Sequence, residues 1–419
     1  MKILIVNTTL HTGGASIAAN RLADALRAAG NEVKFLTKSR SFADGLRFVW
    51  ERCELLYSNG FDYRRVFAID HGGCGTDITL LPEFLWADVV HLHWVNQAML
   101  SLNHLERLVI QCNALGKRLV WTLHDAWPAM GICHLPEDCL NWTMGCGSCR
   151  YLRRNALTRL LPRCGRSADD LSARVFRRKQ QIYAQGRIAF VACSRYLAER
   201  VRRSPLLVGQ EVTDIANPLD TDFYQPGDKL AARQRLGIPS ETRLLLFVAY
   251  KVTDEMKGSS YVRRAMEQLV AQDADLRGGS APLGIALVGH GAETMAQNIP
   301  APTYPYEYVS NEALMRDLYQ AADLLVMPTL MDNLPNTVAE AMACGTPVVA
   351  FRIGGLPQMI RHDEDGYLAD YKSLPDFVEG IRHILLAPHY EAYSQAARRH
   401  AVEAYSEAEV VRRYLEVYG

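Results

Sequence analysis

Short apolar runs alternate with amphipathic segments along most of the chain. Residues 2–7 (KILIVN) are apolar and rich in β-branched side chains, which predicts a strand, and a turn rich in Thr and Gly follows. The next segment repeats apolar residues at the helical spacing of three or four: Ala18, Leu22, Ala25 and Ala29. Gly30 is a helix stop signal, and 33–37 (VKFLT) is predicted to be the next strand. The chain is therefore predicted to open with a strand–helix–strand unit.

The same alternation continues through the first half of the chain. It predicts strands at 89–93, 119–123 and 188–193 and helices at 102–115 and from 194 onward. Because the strands are apolar throughout and are separated by helices, we expect a parallel sheet covered on both faces. Residues 1–215 are thus predicted to form one doubly wound, Rossmann-like α/β domain, with a cysteine-containing insertion at 130–150.

A turn-forming stretch of Asn, Asp and Pro at 215–226 predicts a domain boundary. Beyond it the alternation restarts, with strands predicted at 244–250, 285–289, 324–328 and 347–351 and helices at 261–271, 311–321 and 337–343. We predict a second Rossmann-like domain at 216–392. The tail at 393–419 is predicted to be helical and to pack back towards the first domain, and Ser406 with Glu409 forms a capping box there.

Composition and charge narrow the class of protein. A chain of 419 residues with 49% hydrophobic residues exceeds one ordinary domain and is too apolar to be disordered. Lys plus Arg (46) balances Asp plus Glu (46), and aromatic residues are not interleaved with basic ones, so we expect no nucleic-acid partner. No window approaches the roughly 18 apolar residues of a membrane span, and we expect a cytoplasmic protein.

Two acidic residues lie eight positions apart in the segment MDNLPNTVAEAMACGTPVVAF. Asp332 precedes the predicted helix and Glu340 lies in its second turn, so both can face one ligand. Backbone N–H groups at the helix N-terminus can bind an oxygen-rich ligand between them. The segment resembles the acid, seven residues, acid signature of retaining glycosyltransferase family 4, whose members transfer a sugar from a nucleotide sugar to an acceptor hydroxyl.

The resemblance implies a fold and a set of residue roles. The family fold is GT-B, in which two Rossmann-like domains face each other across a cleft. Glu340 matches the acid that binds the ribose hydroxyls, and Asp332, where the family more often has Glu, matches the acid beside the donor sugar. Asn333 and Leu334 follow in the same donor-binding segment.

A lysine is implied to hold the donor diphosphate. Lys257-Gly258 resembles the family's Lys-Gly pair, but Val252 occupies the position, five residues earlier, where the family usually has Arg. Either Lys251 has taken the role of that Arg through a one-residue insertion, or Lys257 serves alone. A lysine neutralises phosphate charge but lacks the bidentate geometry of Arg.

Three further sites each match the family at one or two residues. Gly13 and Gly14 follow the first predicted strand and resemble the loop beside the donor phosphate, the alternative being a plain tight turn. Their segment lacks the G-x-G-x-x-G of a dinucleotide-binding protein. His124 matches the histidine beside the donor sugar, the alternative being a buried histidine next to a helix-capping acid. Tyr308 and Val309 fall where family members contact the nucleobase.

Four cysteines occur in the stretch WTLHDAWPAMGICHLPEDCLNWTMGCGSC, which resembles bacterial exopolysaccharide glycosyltransferases of the colanic-acid type. Cys133, Cys139, Cys146 and Cys149 have the spacing C-x5-C-x6-C-x2-C. Four thiolates could bind a structural zinc ion, with His134 as a substitute ligand, and four packed thiols without metal are the alternative. The resemblance implies no metal or other cofactor in catalysis.

The stretch 150–187 is locally basic. Between Arg150 and Arg187 its cations are Arg153, Arg154, Arg159, Arg163, Arg166, Arg174, Arg177, Arg178 and Lys179, and its only acids are Asp169 and Asp170. Such a patch can contact an anionic membrane surface or the pyrophosphate of a lipid-linked acceptor, and a solvated helix face is the alternative.

These features predict a retaining glycosyltransferase of bacterial cell-surface polysaccharide biosynthesis. It would transfer a sugar from a nucleotide-diphosphate sugar to a polysaccharide or a lipid-linked oligosaccharide, with His124, Lys257 and Asp332 as catalytic residues. A GT-B nucleotide-sugar epimerase, a phosphorylase and a catalytically silent GT-B scaffold are the alternatives. The donor base, the sugar, the acceptor and the oligomeric state stay open.

Overall fold

The computed structural model describes residues 1–10, 12–38, 42–63, 65–152, 170–272 and 281–419. These residues form two compact units, Met1–Ala216 with Val411–Gly419 and Asn217–Val410. The division falls inside the stretch whose Asn, Asp and Pro residues predicted a boundary. Of the C-terminal tail, only Val411–Gly419 groups with the first unit, whereas 393–410 belongs to the second.

The first unit is built on a six-stranded parallel sheet. It contains β1 (Lys2–Val6), α1 (Gly14–Ala28), β2 (Glu32–Leu36), α2 (Phe42–Ser58), α3 (Pro82–Trp86), β3 (Val89–Leu92), α4 (Leu102–Ala114), β4 (Arg118–Leu123), α5 (Leu171–Tyr183), β5 (Ala189–Ala192), α6 (Arg195–Val201) and β6 (Glu211–Asp214). The strand order is β2-β1-β3-β4-β5-β6. β3 and β5 are buried along their whole length, as expected for a sheet covered on both faces.

The second unit repeats this architecture. It contains α7 (Lys229–Leu236), β7 (Arg243–Lys251), α8 (Ser259–Gln272), β8 (Leu283–His290), α9 (Ala292–Ala296), β9 (Thr303–Tyr306), α10 (Glu312–Ala321), β10 (Leu324–Met327), α11 (Asn336–Ala343), β11 (Val348–Phe351), α12 (Leu356–Met359), β12 (Gly366–Ala369), α13 (Leu374–Leu385) and α14 (Tyr390–Tyr405). Its parallel strands have the order β12-β11-β10-β7-β8-β9. Helix α15 (Glu407–Tyr418) begins in this unit and ends in the first.

The predicted class, α/β with two parallel sheets, is confirmed. The sequence patterns did not predict β6, β9 and β12, each of which lies at the edge of its sheet. Edge strands need not be apolar on both faces: β6 reads EVTD, and β9 contains Pro305, which only an edge accepts readily. Among the described residues, no helix combines the length and the hydropathy that crossing a bilayer requires.

Each strand order reverses once, and these reversals locate candidate ligand sites. In the first sheet the chain passes from β1 to β2 on one side and continues at β3 on the other. In the second sheet it runs through β7, β8 and β9 and resumes beside β7 with β10. Ligands of doubly wound sheets bind at the carboxyl ends of the strands where this switch occurs. A ligand site is therefore expected at the loops that follow β1, β3, β7 and β10.

Candidate active site

The loops after β7 and β10 bring a lysine and an acid together at the switch point of the second sheet. Lys257 Nζ lies 2.7 Å from Asp332 Oδ2. The Lys257 side chain is 38% exposed and that of Asp332 is 16% exposed. Two residues that were predicted separately, one for the diphosphate and one for the sugar, are thus direct neighbours.

Two glycines allow these loops to approach so closely. Gly258 has φ +87°, and a Cβ there would lie 2.0 Å from the carbonyl oxygen of Pro328 at the end of β10. Gly354 has φ +59°, and a Cβ there would lie 1.9 Å from the carbonyl oxygen of Asp332. Because any larger residue would collide with backbone, glycine at these positions fixes where Lys257 and Asp332 lie.

The second acid is buried and hydrogen-bonded. Glu340, on α11, is 7% exposed and accepts a hydrogen bond of 2.7 Å from the hydroxyl of Tyr319, on α10. Burial, followed by the charge of Glu340, raises the pKa of Tyr319 well above its ordinary value, so the phenol remains a donor. We did not predict Tyr319, although a tyrosine among the buried positions of a helix signals that its hydroxyl needs a partner.

The end of β7 bears on the missing arginine. Val248 pairs with Val288, and the next pair is Lys251 with His290, so β7 carries one residue more than β8 over this interval. This is a β-bulge, and it is the local structure that a one-residue insertion predicts. Val252 is fully buried, while Lys251 is exposed at the strand end. The geometry favours the interpretation in which Lys251 takes the place of the arginine.

Three aromatic rings cluster beside this strand end. The rings of His290 and Tyr308 are parallel, with an interplanar angle of 9° and centroids 5.3 Å apart. Tyr250 meets both edge-on, at 5.0 and 5.7 Å. Tyr250 is 69% exposed and Tyr308 49%, so flat apolar surface faces solvent where the nucleobase contact was predicted, and Val309 follows half-buried. Exposed rings of this kind suit stacking on a base.

The first unit supplies a helix N-terminus at its own switch point. Gly13 precedes α1 with φ +87°, and nothing lies within 4 Å of the place its Cβ would occupy, so backbone conformation is what requires glycine. Gly14 is the first residue of the helix, and the first turn carries no acid. Asn7 Nδ2 donates to Ser16 Oγ at 2.9 Å, which ties the strand end to this turn. The arrangement can bind an anion.

His124 directly follows β4 and lies against a second histidine. His93, directly after β3, has its Nδ1 2.9 Å from His124 Nε2. Burial lowers the pKa of His124 to about 4 and that of His93 well below its ordinary value, so both rings are neutral at pH 7. Only His124 was predicted. The segment VVHLHW contained a signal for His93, since His91 and His93 are two positions apart and therefore lie on the same face of the strand.

Behind these rings, helix α15 is tied to the sheet. His91 Nδ1 lies 2.8 Å from the hydroxyl of Tyr418, and His91 Nε2 lies 2.7 Å from Thr122 Oγ1. Thr122 Oγ1 in turn lies 2.8 Å from the hydroxyl of Tyr414. Both nitrogens of His91 therefore have partners, and the ring is fixed 4.4 Å from that of His93.

Asp125 joins the loops that follow β3 and β4 in the first unit. Its carboxylate accepts hydrogen bonds from the Trp127 backbone N–H at 2.8 Å and from Trp94 Nε1 at 2.9 Å, and His134 Nδ1 lies 2.8 Å away. Burial acts to raise the pKa of Asp125, but His134 and these donors outweigh it, and the net shift is downward. His134 was predicted as a substitute zinc ligand; its Nδ1 contacts this acid, and zinc binding by His134 stays a prediction.

The four cysteines of the insertion line one small cavity of about 20 Å³, beside Trp142 and Tyr151. All four are free thiols. Across the described residues, no set of three or more His, Cys, Asp or Glu side chains is placed to hold a metal ion. Zinc at Cys133, Cys139, Cys146 and Cys149 stays a prediction, and metal analysis of protein purified without added zinc would test it.

The predicted basic patch is largely occupied by internal contacts where it is described. Its stretch 153–169 lies outside the described residues. Lys179 is fully buried and donates to the carbonyl oxygens of Trp127, Met130 and Gly131 at 2.6, 3.1 and 3.0 Å, and burial lowers its pKa to about 7. Counting Lys179 as a surface cation was wrong, because the carbonyls of a folded-over loop surround it.

Another cation of the patch is also engaged. Arg178 Nη2 lies 2.6 Å from Glu106 Oε2. Contact with a membrane or a lipid-linked pyrophosphate through 150–187 therefore receives no support from Arg178 or Lys179.

Solved structures share this two-domain arrangement along nearly the full chain. Sucrose-phosphate synthase from Thermosynechococcus elongatus matches with a TM-score of 0.62 and 16% identity, over 99% of this chain and 98% of that one. Anabaena Alr3699/HepE in complex with UDP matches with a TM-score of 0.60 and 13% identity, over 99% of both chains. The fold is therefore GT-B, as predicted.

The family follows from the sequence models. Residues 12–223, half of the chain, match the model described as Glycosyltransferase Family 4, and residues 242–386 match Glycosyl transferases group 1. The chain belongs to glycosyltransferase family 4, and its assignment as a glycosyltransferase enzyme is confirmed.

Curated relatives carry glycosyltransferase names as well. D-inositol 3-phosphate glycosyltransferase 2 of Catenulispora acidiphila is 32% identical over 196 residues, which is 44% of this chain and 45% of the relative. D-inositol 3-phosphate glycosyltransferase of Thermobispora bispora is 31% identical over 218 residues, half of each chain. The chain thus spans about half the length of the curated relatives it matches.

Proposed function

We propose that this chain is a retaining glycosyltransferase that transfers a sugar from a nucleotide-diphosphate sugar to a saccharide or lipid-linked saccharide acceptor. We place the reaction in the cytoplasm, in bacterial cell-surface polysaccharide biosynthesis of the colanic-acid type. The observation that carries the proposal is the contact of Lys257 with Asp332 at the switch point of the second sheet. A cation for a diphosphate and an acid for sugar hydroxyls meet where doubly wound sheets bind ligands.

The second unit offers a subsite for each part of the donor. Lys257 and Lys251 would neutralise the diphosphate. Glu340, oriented by the Tyr319 hydroxyl, would accept hydrogen bonds from the ribose hydroxyls. The rings around Tyr308 would stack on the base. In support, Anabaena Alr3699/HepE, which has the same fold, has been solved in complex with UDP and with UDP-glucose.

The chemistry then requires stabilisation of the leaving group. The bond between the anomeric carbon and the phosphate oxygen breaks, a bond from that carbon to the acceptor oxygen forms on the same face, and the acceptor proton passes to the departing β-phosphate. Negative charge develops on that phosphate, so Lys257 and Lys251 would lower the barrier electrostatically. No enzyme nucleophile takes part in this route, and no step of it calls for a metal ion.

The names of the curated relatives suggest a second acceptor. Both are named as glycosyltransferases of D-inositol 3-phosphate, and each match covers about half of the relative. An inositol phosphate therefore belongs in the acceptor panel beside saccharides and lipid-linked saccharides.

The test of donor binding is the melting temperature in the presence of UDP, GDP, ADP and NAD. A ligand at about 100 times its Kd adds roughly 2.7 kcal/mol, which raises Tm by a few degrees. We expect a shift with one nucleoside diphosphate, and we expect Glu340→Gln to reduce it. Glu379→Gln is the control, since Glu379 is a 63% exposed acid of the same unit. A shift with NAD alone would contradict the proposal.

Three alternatives give different results in a turnover assay. An epimerase would convert the nucleotide sugar without any acceptor, and a phosphorylase would require inorganic phosphate in place of a nucleotide. A silent scaffold would release no nucleoside diphosphate from any nucleotide sugar, even if it binds one.

A further inference from the structure

His93 and His124, which follow β3 and β4, share one hydrogen bond between their rings. His93 Nδ1 and His124 Nε2 are 2.9 Å apart, so one nitrogen donates and the other accepts. The tautomers of the two rings are thereby coupled, because each neutral imidazole has a single N–H.

The surroundings of His93 distinguish the two arrangements. His93 is 2% exposed, and its Nε2 has no hydrogen-bond partner among the described residues. If the proton were on His93 Nε2, a buried N–H would have no acceptor, which is a rare and costly state. If the proton is on His93 Nδ1, it is donated to His124, and only a lone pair is left without a partner.

The structure also prevents His93 from turning to exchange its two nitrogens freely. The ring of His91 lies 4.4 Å from that of His93, and hydrogen bonds to Tyr418 and Thr122 hold His91 at both of its nitrogens. His93 is thus packed against a side chain that is itself immobilised. The planes of the His93 and His124 rings are inclined by only 22° and their centroids are 5.2 Å apart, which fits an edge-to-edge hydrogen bond between them.

We propose that His93 is a positioning residue that donates its Nδ1–H to His124 Nε2 and so fixes His124 as the tautomer with its proton on Nδ1. His124 then presents an Nδ1–H donor, which suits a hydroxyl oxygen of a sugar. The assignment of the tautomer stands on the geometry of the first unit, and its catalytic consequence rests on the proposed function.

The test uses the full-length enzyme with 15N-labelled histidine. NMR of the ring nitrogens reports which nitrogen of His124 is protonated, and loss of its signals in His124→Asn assigns them. His93→Phe keeps the ring shape and removes the donor, whereas His93→Asn places an amide N–H near the position of Nδ1. His93→Gln, whose amide lies nearer the position of Nε2, is a second removal in case the Phe variant does not fold.

We expect His124 to be protonated at Nδ1 in the wild type and in His93→Asn, and to lose this preference in His93→Phe or His93→Gln. Loss of one hydrogen bond predicts a fall in kcat of about tenfold in these two variants, with KM for the nucleotide sugar changed by less than about twofold. His104→Phe, on α4, is the control and should behave as wild type.

Two results would overturn the inference. One is an unchanged His124 tautomer in a folded His93→Phe or His93→Gln protein, and the other is a His93→Asn variant as impaired as those two. If the wild type turns over no nucleotide sugar, the proposed function fails while the NMR result still decides the tautomer.

Discussion

Replacing Asp332 with Asn should make the protein bind a nucleoside diphosphate more tightly while impairing sugar transfer. Without ligand, the Lys257 ammonium is held 2.7 Å from the Asp332 carboxylate. A diphosphate that binds Lys257 has to compete with this carboxylate and lies near its negative charge. Asparagine keeps the shape of the side chain and removes that competition, but it weakens the acceptor that the donor sugar would need.

The structure sets the size of the effect. Lys257 is 38% exposed, so water screens the pair, and ion pairs in such surroundings contribute up to about 1 kcal/mol. Removing that competition corresponds to at most about a fivefold gain in affinity, and we expect two- to fivefold. Since partly exposed charges are screened by salt, the gain should shrink as ionic strength rises.

Isothermal titration with the nucleoside diphosphate that stabilises the wild type measures this change. Asp317→Asn is a matched control, because Asp317 forms a 2.7 Å ion pair with Arg235 in the same unit. Its side chain is 14% exposed, close to the value for Asp332. Lys257→Ala should weaken binding. An affinity of Asp332→Asn equal to or below that of the wild type would refute the placement of the diphosphate at Lys257.

Two further predictions concern buried groups. Tyr319→Phe removes the 2.7 Å hydrogen bond to Glu340. This loss should lower the unfolding free energy by about 1.5–3 kcal/mol in urea titrations and weaken nucleotide binding severalfold. An unchanged affinity would show that Tyr319 does not orient Glu340 for a ligand. For Lys179, burial lowers the pKa from 10.5 in the unfolded chain to about 7, so the unfolded state binds more protons between these values, and stability rises with pH there. Between pH 7 and 8.5 the unfolding free energy of wild type minus Lys179→Met should increase by about 1.6 kcal/mol, and a difference independent of pH would contradict the burial of a neutralisable amine.

The sequence identified the central strands and most of the proposed donor site because both leave local patterns. Continuous apolar runs mark buried parallel strands, and Lys257 and Asp332 belong to short recognisable segments. The edge strands β6 and β9 escaped prediction because β6 is largely polar and β9 contains proline. The register of β7 against β8 shifts just before Lys251, which a count of residues could not reveal, and the role of Lys251 in place of the arginine stays a prediction.

Long-range partners account for the rest. Tyr319 and Glu340 are 21 positions apart, and His93 and His124 are 31 apart, so no local pattern joins them. Lys179 lies in a basic stretch, which suggested a surface cation. In the structure it is buried and donates to three backbone carbonyls that lie about 50 positions earlier in the sequence. Such contacts depend on how the loops fold over the sheet, and local sequence patterns do not predict the conformation of those loops.

The measurement that tests the central claim most directly is release of nucleoside diphosphate from nucleotide sugars, followed together with the glycoside formed on a panel of acceptors. The account predicts release and a new glycoside with the wild type, and at least tenfold slower release with Lys257→Ala and with Glu340→Ala, in folded proteins. A wild-type protein that binds a nucleoside diphosphate yet releases none from any nucleotide sugar, or variants as active as the wild type, would contradict it.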